Sequence, residues 1–98
     1  MNKIERHKEL CEGMHALYEA KNHDYGDSFS KTYKELGIVS AVTQIMHKHN
    51  RLVTLAVGEN QRVQGESIKD TLIDLANYAI MTIIEMEEND DGHSKSNN

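Results

Sequence analysis

Ninety-eight residues at 11.2 kDa suffice for one domain and leave no room for two cores. A net charge of −5 leaves no basic surface of the kind that grips a long nucleic-acid backbone, although a few placed Lys and Arg can still hold a small anion. One cysteine, Cys11, excludes an internal disulfide and a Cys-rich zinc site, and no apolar run approaches the roughly 18 residues of a membrane span.

In chain order, Ile4, Leu10, Cys11, Met14, Leu17 and Tyr18 follow helical spacing and predict a first helix over about 2–21, with Cys11 in its core face. The stretch Asn22–Ser30 reads as turn chemistry throughout, and a short helix over Lys31–Leu36 stops at Gly37. Ile38–Val57 predicts a third helix with Ile38, Val42, Ile45, Met46, Leu52, Val53 and Ala56 on its apolar face. Gly58–Gly65 is a polar connection. Glu66–Glu88 is the longest helix, its apolar stripe formed by Ile68, Leu72, Leu75, Ala76, Ala79, Ile83 and Met86. Residues 89–98 have nothing to bury and read as a disordered polar tail. The fold class is therefore all-α, a small bundle of three long helices and one short one forming a single domain over 1–88. Leu, Ile, Val and Phe total only 21 of the 98 residues, and the apolar arc of the last helix runs from Leu75 round to Ile84. That arc is too wide for one partner helix, so the bundle is expected to be completed by homo-oligomerisation through the first and last helices.

The last helix also carries Glu66, Asp70 and Asp74 at i, i+4 spacing, a line that Asn77 and Met81 continue. Like charges so spaced destabilise an isolated helix, and apolar residues border the line. A covered carboxylate ladder wants a cation, either a metal ion or basic side chains. The third helix offers Lys48 and Arg51 one turn apart, in a narrow sector with Gln44. Two readings follow. Either Lys48 and Arg51 pair with Asp70 and Asp74, or they converge on a phosphate or carboxylate. The segment Lys21–Phe29, KNHDYGDSF, is rich in amide, carboxylate, hydroxyl and phenol groups; its plainer role is a helix end and an Asx turn anchored by Tyr25 and Phe29. The histidines lack the i, i+4 pairing of a helical zinc site.

Three segments, KNHDYGDSF, HKHNRLVTL and ESIKDTLIDLANYAIM, together resemble the nucleotide-modification-associated domain family, over about residues 14–86. The resemblance implies a small helical protein of bacteriophage or prophage type, acting in the cytoplasm of an infected host cell. The last segment is also similar to the second metal-binding helix of MazG-like nucleotide pyrophosphatases, where two acidic motifs are expected to hold Mg²⁺. Glu66, Asp70 and Asp74 could supply one motif, but Gln44, His47, Lys48 and Arg51 stand where the other should fall. Basic residues there oppose Mg²⁺ and suit phosphate. The leading expectation is a protein, needing no cofactor, that binds a nucleotide or nucleotide-derived anion, used as a sponge for a host defence signal. Lys48 and Arg51 take phosphate, Tyr25 stacks on a base, and Asn22, Asp24 and Ser28 read polar edges. The alternatives are a Mg²⁺-dependent pyrophosphatase, a nucleotide-modification accessory protein, or a purely structural helical oligomer.

Overall fold

The computed structural model describes the backbone of residues 2–25, 27–58 and 61–97, and the side chains of these except 24, 25, 61–64 and 90–97. Four helices, and no strand, occur among the described residues: α1 (Lys3–Tyr25), α2 (Ser28–Leu36), α3 (Ile38–Ala56) and α4 (Gln61–Asn97). The all-α expectation of three long helices and one short one is met. No helix among the described residues is long and apolar enough to cross a membrane.

Local chemistry sets the helix ends. The Asn2 side-chain oxygen accepts the backbone N–H groups of Ile4 at 3.0 Å and Glu5 at 3.2 Å, capping α1. Gly37 separates α2 from α3 with φ 76° and ψ −166°, a conformation open to glycine and costly for any side chain. Its N–H donates to the Tyr33 carbonyl at 2.7 Å, and its own carbonyl accepts the Ser40 hydroxyl at 2.8 Å. One glycine thus ends one helix and starts the next.

Two expected connections are shorter in the structure. Asn22–Ser30 is not turn throughout: α1 continues through Tyr25 and α2 begins at Ser28. Asn, His and Asp carry only modest helix penalties, which docking of α1 on α4 can offset. Likewise α4 begins at Gln61, inside the expected connection Gly58–Gly65, and its helical backbone runs past Glu88 to Asn97.

The helix pair α3–α4 is the main packing unit, with α2 laid against both and α1 meeting α4. Buried apolar residues are few. Ala41 is fully covered and Tyr33 is buried, and no large side chain is fully enclosed. The inward face of α4 is instead polar, with Thr71, Thr82 and Glu85 buried. The threonine hydroxyls return hydrogen bonds to the carbonyls of Ser67 and Tyr78 one turn back, at 2.7 and 2.6 Å, so their burial leaves no donor unsatisfied. Glu85 accepts from the Ser30 hydroxyl of α2 at 2.9 Å and from the Asn89 amide at 3.2 Å.

The predicted apolar stripes face the core of this chain only in part: Ile45 and Leu52 of α3 and Ile68, Leu75 and Ala76 of α4 are half-buried. Leu72, Ile83 and Met86 of α4 are exposed, as are Ile38, Val42, Met46 and Val53 of α3. On α1 only Met14 and Tyr18 of the expected line are half-buried. Cys11 is exposed rather than core, its sulfur 3.8 Å from Nδ1 of His7 one turn away. The radius of gyration, 16.0 Å, exceeds the about 13 Å of a compact chain of this length.

Candidate functional site

A pocket of about 370 Å³ opens where the end of α1 and the start of α2 meet the α3–α4 pair. Helical spacing builds its walls. From α3, Ser40, Gln44 and Lys48 form one i, i+4, i+8 column; from α4, Asp74, Asn77, Tyr78 and Met81 form the facing column. The end of α1 adds Tyr18, Lys21 and Asn22, and the start of α2 adds Asp27, Ser28, Phe29 and Thr32.

Its charged centre is Asp74. Lys21 Nζ donates to Asp74 Oδ1 at 3.4 Å, and Lys48 Nζ lies 3.5 Å from Oδ2. Two ammonium groups from different helices share one carboxylate, and with Asp27 also on the wall the charged side chains of the lining balance. Asp74 and Lys48 are half-buried, so this attraction is screened less than at an open surface. Lys48 Nζ also stands 6.0 Å from the Tyr78 ring centroid, at the edge of cation–π range. Tyr78 meets Phe29 with ring centroids 5.7 Å apart and planes inclined by 38°, an aromatic contact that fixes α2 on α4. The amide of Asn77 donates to the Met14 carbonyl at 3.2 Å and holds α1 over the same wall. Asp27 has φ 57°, left-handed backbone unusual for a non-glycine residue, and its side chain makes no cap bond to α2.

Of the residues the sequence singles out, Lys48, Asn22, Ser28 and Asp74 line this pocket. Arg51 does not. It lies one turn beyond Lys48, exposed, and makes no ion pair among the described residues. The side chains of Asp24 and Tyr25 lie outside the described residues. Lys48 pairs with Asp74, as the salt-bridge reading expects, yet the second partner is Lys21 rather than Arg51. Sequence reasoning also missed Tyr78, although its four-residue offset from Asp74 puts it on the same wall.

The Mg²⁺ site of the pyrophosphatase alternative is not matched by these residues. Glu66 and Asp70 are exposed and outside the pocket, and each oxygen of Asp74 already faces a lysine. Among the described residues no three His, Cys, Asp or Glu side chains gather where a metal ion could sit. A divalent cation beside Asp74 would meet two ammonium groups at short range.

Comparison with curated proteins and with solved structures finds no match. The family model described as nucleotide modification associated domain 1 matches residues 21–86. That span holds every pocket residue named above except Tyr18, and the chain belongs to this family.

Proposed function

We propose that the pocket binds a nucleotide or a nucleotide-derived anion and holds it without cleaving it. The observation that carries this reading is the convergence of Lys21 and Lys48 on Asp74, beside the rings of Tyr18, Phe29 and Tyr78. A nucleotide presents an anionic phosphate, a hydroxylated sugar and a flat base. The lysines suit the first as point charges, Asn22, Gln44, Asn77 and Ser28 offer donors and acceptors for the second, and the aromatic rings suit the third. The volume lies at the small end of the range for small-molecule sites, about 300–1,000 Å³. Asp74 holds the two lysines in place before the anion arrives and can accept a bond from a sugar hydroxyl afterwards. Binding without turnover is sequestration, and a phage-type sponge for a host defence nucleotide is the use to which this reading extends.

Calorimetric titration with nucleoside mono-, di- and triphosphates and cyclic nucleotides tests it. At least one is expected to bind, and at 100 times its Kd to stabilise the fold by about 2.7 kcal/mol. Lys21→Ala with Lys48→Ala is expected to abolish that gain. A panel in which nothing binds overturns the reading. So does Mg²⁺-dependent release of pyrophosphate that disappears in Asp70→Asn and Asp74→Asn.

A further inference from the structure

The α3–α4 pair has two unlike sides. Counting about 100° per residue, the exposed apolar positions of α3 centre about 95° round from its inward positions Ala41, Ile45 and Leu52. On α4, Leu72, Ile80, Ile83, Ile84 and Met86 centre about 135° round, in the same rotational sense, from Thr71, Tyr78 and Thr82. A short connection makes α3 and α4 antiparallel neighbours. In an antiparallel pair offsets of the same sense bring both stripes to one side. The pocket columns are rotated the opposite way on both helices, so the pocket, α1 and α2 occupy the other side.

The apolar side is long, and among the described residues Lys69 and Glu87 of α4, towards its ends, are the fixed charges within its arc. Ile38, Val42, Met46 and Val53 run the length of α3, Met46 being 56% exposed, and Ile83, further along α4, is 54% exposed. The charged residues of α3, Lys48 and Arg51, both lie off this stripe, and on α4 Lys69 stands near one end of it. No described helix of this chain covers it.

The surface area indicates what does. A compact monomer of 11.2 kDa exposes roughly 5,700 Å², whereas this chain exposes 7618 Å², a total that also counts the residues whose side chains are not described. Even half of that excess meets the about 800 Å² per partner of a standard stable interface. The buried apolar core of the single chain is correspondingly small, with only Ala41 and Tyr33 in it among the described residues. A face with no charge at its middle can mate with its own copy across a two-fold axis without like-charge repulsion there, and two helices from each chain then form a four-helix core.

We propose that this α3–α4 face docks on the same face of a second copy of the chain, leaving a pocket open on each outer side. The proposal is independent of what the pocket binds. It places the interface on the third and last helices, rather than on the first and last as the sequence alone implies.

Sedimentation equilibrium of the full chain at micromolar concentration is expected to give twice 11.2 kDa. Met46→Glu with Ile83→Glu is expected to halve that mass, whereas Ile4→Glu, at an exposed site on α1, leaves it unchanged. A monomeric wild type overturns the proposal, whether it stays free or pellets with phosphatidylcholine vesicles. A double variant that keeps the dimer mass overturns it as well. Should the double variant fail to fold, peroxide footprinting of the unaltered protein decides. Met46, 56% exposed in the single chain, is expected to oxidise at least severalfold more slowly than free methionine. Oxidation at the rate of the free amino acid overturns the interface.

Discussion

The two sides of the α3–α4 pair use the same helices for opposite ends. On one side Lys48 and Asp74 meet across the pair, with Tyr78 and Asn77 beside them, and the remaining helices supply Lys21 and Phe29. On the other side Met46, Val53 and Ile83 stand exposed with no described helix of this chain covering them. The polar side is the more completed within one chain, which reverses the usual arrangement of apolar residues inside. Burial of Thr71, Thr82 and Glu85 is tolerable because each is hydrogen-bonded, the threonines within α4 and Glu85 to Ser30 of α2. Exposure of a continuous apolar face has no such local remedy.

If the comparison holds, charges on the apolar side have the largest effect. Met46→Glu with Ile83→Glu places two carboxylates on the proposed interface. Truncation of an interface anchor costs about 2 kcal/mol or more, so the pair is expected to weaken dimerisation by about 4 kcal/mol, roughly a thousandfold in Kd. A dilution series by sedimentation measures this, and nucleotide affinity per folded chain should be unaltered. Loss of nucleotide binding in the folded monomeric variant would show that the two sides are not separable.

On the pocket side, Lys48→Ala removes one of the two cations at Asp74. Affinity for the bound nucleotide is expected to fall by about 1.5–3 kcal/mol, the range for hydrogen bonds to charged groups. Calorimetry on the variant measures it, with the dimer mass unchanged. Tyr78→Ala should also weaken binding, but it removes the ring contact with Phe29 and destabilises the fold too, so Lys48 is the cleaner probe.

Gly37 lines neither the pocket nor the apolar stripe but forms the joint that orients α2 against α3. An added Cβ meets nothing within 4 Å, so the cost of Gly37→Ala is purely one of backbone conformation at φ 76°. Destabilisation of about 1–3 kcal/mol is expected by denaturant titration, with nucleotide affinity of the folded fraction unchanged. An unaltered midpoint would mean that the α2–α3 joint relaxes freely, and that the pocket wall from α2 is not held by it.

Much of this architecture is legible in the residues. Helical spacing without strand alternation gives the fold class, and Gly37 marks the α2–α3 boundary. The i, i+4 run through Asp70 and Asp74, continued by Asn77 and Met81, picks out part of the pocket wall. What sequence spacing misjudges is the inward face. Leu72 and Ile83 form the stronger apolar stripe, yet Thr71 and Thr82 are buried, because their hydroxyls return to their own helix and let α3 come close. Lys21 is invisible for a different reason. Its partner Asp74 is 53 residues away, and only the docking of a continuous α1 on α4 brings them together. Reading Asn22–Ser30 as a turn breaks α1 before that docking can be foreseen.

The smallest effect belongs to Arg51, and it separates spacing from structure. On the helix wheel Arg51 and Lys48 lie in one sector, which makes Arg51 a natural second ligand for phosphate. In the fold Lys48 is half-buried at Asp74, whereas Arg51 is exposed, outside the pocket, and in no ion pair among the described residues. Arg51→Ala is therefore expected to change stability by no more than about 0.5 kcal/mol, as for other surface positions away from special features. Nucleotide affinity should move by a similarly small amount, through screened long-range attraction alone. Melting the variant without ligand and titrating it with the nucleotide that binds the wild type measure the two quantities separately. A fall in affinity as large as that of Lys48→Ala would bring Arg51 back to the phosphate and widen the binding surface past the last described wall of the pocket. A large loss of stability would instead tie it to a carboxylate. Near-neutrality on both counts leaves Lys21, supplied by α1, as the second cation of the site.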